Sequence, residues 1–220
     1  MTKFTWHLAG DSTVAPAEPP MAGWGMFLGE FVDEPVRNTA VGGATTESFR
    51  SQGHWDRMLA AVRPGDRVVI QFGHNDQKHP ELLAASGGYT DRLDAFVREV
   101  RAAAATPVLC TSVERRFFDG DRVRPSHGPY PAAVRALGRA RDVPVVELTV
   151  FTAWLYEHLG PQGSRQLFTE ADNTHFHERG ARAVAAYVAR ALRAIRGLDD
   201  AVEPMGRAAH MSAGHSPPPA

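Results

Sequence analysis

The chain has 220 residues, 43% of them apolar and 22% charged, with a formal net charge of −1. That is enough for one α/β domain with a sizeable core, and the balanced charge offers no basic surface of the kind nucleic acid requires. No apolar run approaches the roughly twenty residues that span a bilayer, and the single cysteine, Cys110, excludes an intrachain disulfide and a cysteine-built zinc cage.

In chain order, FTWHLAG (4–10) predicts a first strand and runs into Gly10-Asp11-Ser12-Thr13. Its amino-terminal neighbourhood, MTKFTWHLAGDS, has one early lysine and no long apolar segment. No signal peptide is therefore expected. A cytoplasmic location follows, or an exported one if a leader has been removed. WGMFLGEFV carries apolar residues at helical spacing, and EPVRNTAVGG (34–43) predicts a second strand closing on Gly42-Gly43. SQGHWDRMLAAV reads as a helix. DRVVIQFG (66–73) predicts a third strand, followed by His74-Asn75-Asp76. TDRLDAFVREVRAAAA reads as a helix and TPVLCTSV (106–113) as a fourth strand.

Residues 114–130, ERRFFDGDRVRPSHGPY, break the alternation and read as an insertion, a small hairpin over the site. PYPAAVRALGRARD is helical in spacing, and VPVVELTV (143–150) predicts a fifth strand. DNTHFHERG (172–180) leads into a last long helix over 178–195, whose alanines permit close packing on a sheet. Arg179, Arg182, Arg190 and Arg193 would mostly point outward. From Gly197 the chain turns polar and ends in GHSPPPA, so a domain over 1–196 and a disordered tail over 197–220 are expected.

Short Val- and Leu-rich strands alternating with helices predict a three-layer α/β/α, doubly wound (flavodoxin-like) fold with a parallel sheet. Ligands bind such folds at the carboxyl ends of the strands. The polar clusters around Ser12, Gly43, Asn75 and His175 all fall at such ends, so four distant segments would meet on one edge.

A serine hydroxyl becomes a useful nucleophile only when a neighbouring base takes its proton. A carboxylate then fixes the imidazole tautomer, and donors must wait where the oxyanion forms. Ser12 offers the hydroxyl, His175 the base and Asp172 the carboxylate. The N–H groups of Ser12 and Gly43, with the Asn75 amide, could form the oxyanion hole. Each motif alone reads as a turn, a helix cap or ordinary loop chemistry; jointly and in this order they read as catalytic. A metal site on DNTHFH fails on spacing, because His175 and His177 are two apart rather than the four of a helical metal pair.

At these residues the chain resembles the SGNH (GDSL-like) hydrolases, in their rhamnogalacturonan acetylesterase-like branch. GDST matches the nucleophile block, NTAVGGATTESF the glycine block, QFGHND the asparagine block and DNTHFHERGA the Asp-x-x-His block. ERRFF, HGPYPAAVRAL and LYEHLGPQGSRQLF extend the similarity to about residue 196. The resemblance implies a five-stranded parallel sheet between helices and carbohydrate O-deacetylation, with no metal or organic cofactor. Ser12, Asp172 and His175 would be the triad, with Gly43 and Asn75 in the oxyanion hole. The substrate would be a small-molecule or oligosaccharide ester, with neither nucleic acid nor membrane as partner.

Two positions depart from the branch: Ala44-Thr45 follow Gly43 where Arg-Ser is usual, and His177 stands where a small polar residue is common. His177 reads as a substrate contact or as a solvated or capping side chain. His74 reads as lining the pocket or as a structural hydrogen bonder. Trp24 matches a branch feature and is a candidate substrate contact, with core packing its default. Asp11 reads as a brace for the nucleophile turn. The competing readings are a lipid or acyl-thioester hydrolase using the same site, and a non-catalytic carbohydrate-binding module.

Overall fold

Five parallel strands order the molecule. The computed structural model describes residues 4–210, with side chains described through 195. In chain order the strands are β1 (Trp6–Gly10), β2 (Val36–Asn38), β3 (Arg67–Gln71), β4 (Thr106–Cys110), the hairpin strands β5 (Phe118–Asp119) and β6 (Arg122–Val123), and β7 (Val145–Val146). The helices are α1 (Thr46–Ser51), α2 (His54–Leu59), α3 (Pro80–Leu83), α4 (Gly88–Ala102), α5 (Tyr130–Arg141), α6 (Leu148–Gly163) and α7 (Glu178–His210). The main sheet has the order β2-β1-β3-β4-β7, all parallel, and β5 and β6 form a separate antiparallel pair. This is the doubly wound arrangement expected, with its switch point between β1 and β3.

Strand residues divide by parity between two cores. Trp6 and Leu8 of β1, Val69 of β3, and Val108 and Cys110 of β4 face one cluster with Tyr156 of α6 and Val184 of α7. Ala9, Val68, Ile70 and Leu109 face the other, with Phe49, Trp55, Phe96 and Val134 of α1, α2, α4 and α5. Period-2 alternation with both faces apolar is what a sheet covered on two sides requires. On α7, Ala181, Val184, Ala185, Val188, Ala189 and Leu192 are fully buried; their spacing is one helical stripe. Arg179, Arg190 and Arg193 are exposed, and Arg182 reaches out to Glu178 and Glu30.

Several element boundaries differ from those the sequence predicted. The WGMFLGEFV segment forms two short 3-10 turns, Trp24–Met26 and Leu28–Glu30, rather than a helix. Gly25 sits so tightly that a Cβ would come within 2.5 Å of Asn38 Nδ2, so packing and not helix propensity selects it. The EPVRNTAVGG strand shrinks to Val36–Asn38, after which the Thr39 N–H and hydroxyl reach the Leu8 carbonyl and the Val41 N–H reaches that of Gly10. The next predicted helix, 51–62, holds α2 (His54–Leu59), which is entered at Gly53 with φ +73°, while a separate α1 over Thr46–Ser51 precedes it.

The VPVVELTV strand holds its pairing only at Val145–Val146, and Leu148 already begins α6. Leu148, Phe151, Thr152, Leu155, Tyr156 and Leu159 follow the 3.6-residue period, so the later half of that apolar run belongs to a helix. Gly160, at φ +71° just before Pro161, breaks α6 near its end. The expected hairpin in 114–130 is present as β5 and β6, turning at Gly120. Helix α7 continues beyond Gly197 to His210, where a disordered tail was expected; the rest of that tail, 211–220, lies outside the described residues. Among the described residues no helix is long and apolar enough to cross a membrane.

Candidate active site

The carboxyl edge of the sheet at its switch point carries the Gly10–Thr13 turn. Asp11, fully buried, accepts from the Thr13 N–H at 3.0 Å and the Thr13 hydroxyl at 2.8 Å. Thr13 in turn accepts from the Gln71 amide, whose oxygen takes the Trp24 indole N–H at 2.8 Å. A relay of four buried side chains therefore braces the turn from below, and Ser12 projects above it. Burial pushes the Asp11 carboxyl up to about 6, against the opposing bonds from Thr13. Trp24 is wholly buried and its N–H is spent on Gln71, so the expectation that it touches substrate is corrected to core packing.

Ser12 Oγ lies 3.2 Å from His175 Nε2, although the two residues are 163 positions apart. His175 Nδ1 lies 2.6 Å from Asp172 Oδ2, while Asp172 Oδ1 accepts from the backbone N–H groups of Thr174 and His175 at 2.7 Å each. A carboxylate oxygen at that distance requires a proton on Nδ1, which leaves the Nε2 lone pair facing the serine in the neutral ring. Burial alone would raise the Asp172 carboxyl, but the His175 ring and the two backbone donors outweigh it and hold it below the usual carboxylate value.

The other two blocks are stapled to each other. The Asn75 amide donates to the Ala44 carbonyl at 3.1 Å, and Lys78 Nζ donates to Asn75 Oδ1 at 2.8 Å. Lysine can only donate, so it fixes the amide with its NH2 turned inward, one proton on Ala44 and one left over. Asp76, also fully buried, accepts from Thr46 N–H and hydroxyl at 2.8 and 2.6 Å and from the Gly73 N–H at 3.1 Å. Burial raises its carboxyl despite those bonds.

Gly43 adopts φ +75°, a left-handed conformation that suits glycine. A Cβ on the preceding Gly42 would approach Ser12 Cβ at 4.0 Å, which puts the glycine block beside the Ser12 turn. Among the described residues, the backbone N–H groups of Ser12 and Gly43 donate to no protein acceptor. The Ala44 backbone carbonyl holds Asn75 and Thr45 caps α1 in a capping box with Ser48, contacts that Arg-Ser could also make, so the departure has no structural explanation here.

His74 is buried, its ring edge-on to His127 at 4.4 Å, and both ring nitrogens lack a hydrogen-bond partner. Burial, then the neighbouring His127 and Arg115, hold its imidazole well below the usual value. His177 is exposed and lines a groove beside the Asp172–His175 loop, with Arg165, Phe168 and Thr169. A separate cleft of about 660 Å3 lies where β4 and β7 begin, at the opposite edge of the sheet from Ser12.

Sequence reasoning missed three supporting residues: Asp76, Lys78 and Arg116. Arg116, at the foot of the hairpin, grips the Asp172–His175 loop at both levels of Asn173. Its backbone N–H donates to the Asn173 carbonyl at 2.8 Å and its guanidinium to Asn173 Oδ1 at 2.7 Å. Asp76 closes the asparagine block and Lys78 follows two residues later, both visible as polar loop residues. Nothing local marks Arg116, whose partner is 57 residues away.

The GDSL-like lipase/acylhydrolase family matches residues 8–183. The chain belongs to that family and is a carboxylic ester hydrolase. It is 42% identical over 204 residues to the rhamnogalacturonan acetylesterase RhgT of Bacillus subtilis, an alignment covering 84% of this chain and 88% of the relative. The crystal structure of Bacillus subtilis YxiM superposes with a TM-score of 0.80 at 28% identity, covering 87% of this chain and 56% of that longer one. Axe2, an acetylxylan esterase from Geobacillus stearothermophilus, shares the fold at a TM-score of 0.64 and 16% identity, over 86% of this chain and 92% of its own.

Proposed function

We propose that the protein is a serine esterase that removes O-acetyl groups from a carbohydrate of the rhamnogalacturonan or a related acidic type. The observation that carries the reading is the Ser12–His175–Asp172 chain, with contacts of 3.2 and 2.6 Å at the switch point of the sheet. The substrate class is supported by the relative RhgT and its 42% identity.

Ser12 Oγ attacks the acetyl carbonyl carbon as its proton passes to His175 Nε2. The carbonyl π electrons move to oxygen, and that oxyanion accepts hydrogen bonds from the Ser12 and Gly43 N–H groups and the spare proton of the Asn75 amide. Asp172 stabilises the imidazolium through Nδ1. The tetrahedral species collapses, the bond to the sugar oxygen breaks, and His175 returns the proton to that oxygen. Water then attacks the acetyl-Ser12 ester with His175 as base. The same steps in reverse order of partners release acetate and restore the serine hydroxyl.

The test is acetate release from acetylated rhamnogalacturonan oligosaccharides, alongside nitrophenyl acetate and nitrophenyl octanoate. Acetate release with acetyl favoured over octanoyl is expected. Inert oligosaccharides with a preference for octanoate would instead establish a lipid-type acylhydrolase.

A further inference from the structure

The Asn75 amide differs from the two backbone donors of the proposed oxyanion hole. It is a side chain, and its strength as a donor depends on what touches its oxygen. Asn75 immediately precedes the 3-10 turn Asp76–Lys78, and the Lys78 N–H donates to the Asn75 carbonyl at 3.0 Å. Such a turn sets residues three apart directly over one another. Lys78 therefore stands over Asn75, where its ammonium donates to Asn75 Oδ1 at 2.8 Å.

The charge is not spent elsewhere. Among the described residues Lys78 makes no ion pair. Its neighbour Asp76 turns inward to Thr46 and Gly73, and Glu81 lies beside His79 at 3.6 Å. Lys78 is exposed while Asn75 is buried, so the ammonium keeps water on one side and faces the amide with the other.

Orienting the amide does not by itself need a cation. The Ala44 carbonyl, 3.1 Å from Asn75 Nδ2, already selects the orientation with the NH2 group inward, and a water could complete Oδ1. The ammonium does what a water does less well. It draws electron density onto Oδ1 and leaves the Nδ2 protons more acidic, and one of those protons is the spare donor of the mechanism.

We propose that Lys78 is a positioning residue of the oxyanion hole, and that its positive charge, transmitted through the Asn75 amide, strengthens the hydrogen bond to the oxyanion as that charge develops. This deepens the proposed function and rests on it. The oxyanion exists in the transition state and not in the bound ester, so the effect falls on kcat and leaves KM in place. A donor worth about 10²–10³ in turnover, strengthened by roughly ten to thirty per cent, gains up to about eightfold. The field of the ammonium itself adds to this, which makes the whole effect about tenfold.

The experiment is a double-mutant cycle on nitrophenyl acetate, a neutral ester that makes no ion pair with Lys78. Lys78→Met should lower kcat about tenfold with KM within about twofold and the melting temperature nearly unchanged. Lys78→Arg, which keeps the charge, should stay within about threefold of the native enzyme. In an Asn75→Ala background Lys78→Met should cost less than about twofold, because the amide that carries its effect is gone.

A lysine that only supported the loop would act on KM or stability, and its loss would be felt in the Asn75→Ala background as well. The proposal is overturned by a Lys78→Met enzyme within about twofold of native, by an equal loss with and without Asn75, or by a Lys78→Arg enzyme as slow as Lys78→Met. An Asn75→Ala enzyme that is itself unimpaired would remove Asn75 from the oxyanion hole, and this inference with it. Impairment of Asn75→Ala by about 10²–10³ beside an unaffected Lys78→Met would overturn the role of Lys78 alone and leave the proposed mechanism standing.

Discussion

The two halves of the site are held by different means. The proposed nucleophile and oxyanion side rests on wholly buried polar side chains: Asp11 and Asp76 have no exposed surface, and each accepts two or more hydrogen bonds from the turns around it. The acid–base side is a loop whose His175 and Asp172 side chains are 33% and 39% exposed, gripped from outside by Arg116. Preorganisation on the first side is built into the core and coupled to stability. On the second it depends on contacts that could be lost with the fold intact.

The largest effect should come from the exposed side. Asp172→Asn would keep the loop's shape but favour the wrong imidazole tautomer, and should lower kcat on nitrophenyl acetate by on the order of 10⁴ with the melting temperature nearly unchanged. An activity loss below tenfold would mean that Asp172 does not set the tautomer.

Asn75→Ala comes next. Removing one oxyanion donor should cost about 10²–10³ in kcat. Because Asn75 also holds the Ala44 carbonyl, some stability should go with the activity, unlike the Asp172 variant. Equal stability loss in the two variants would erase the contrast between the halves.

Asp11→Asn probes the buried brace. The folded carboxyl sits at about 6 against an ordinary 3.8, so the native state keeps this proton where the unfolded chain has lost it. That contribution is fully present below 3.8 and is lost as pH rises through about 6, amounting to about 3 kcal/mol for a shift of this size. The asparagine variant cannot lose it. Its stability relative to the native protein, from denaturant titrations, should therefore climb by about that amount between those limits. A difference that stays flat with pH would refute the assignment.

The smallest effect is expected at the hairpin clamp. Arg116→Met should lower kcat roughly tenfold by loosening Asn173 and hence His175, with a smaller change in KM. Activity within twofold of the native enzyme would show that the loop keeps its geometry without the clamp.

Legibility in the sequence divides along similar lines. β1, β3 and β4 were readable because a strand buried on both faces is a short apolar run ending in turn residues. β7 and α6 were confused because an apolar run does not declare its period until it is longer than VPVVELTV. Ser12, Gly43, Asn75 and His175 stood out because each follows or lies near a strand end in a fold that gathers such ends on one edge. Ser12 and His175 meet there at 3.2 Å. Asp11 was readable as a brace because it stands in the same turn, but the braces distant in sequence could not be read. Trp24 reports to Gln71, and Arg116 to Asn173, through contacts 47 and 57 residues apart in sequence that only the folded chain creates.

Labelling with a fluorophosphonate, followed by peptide mass spectrometry, bears most directly on the role of Ser12. The native protein should carry one phosphonyl group, on the Ser12 hydroxyl, while Ser12→Ala stays unlabelled and folded. An adduct on another residue, or none on a folded native enzyme that hydrolyses nitrophenyl acetate, would contradict a serine nucleophile at this position.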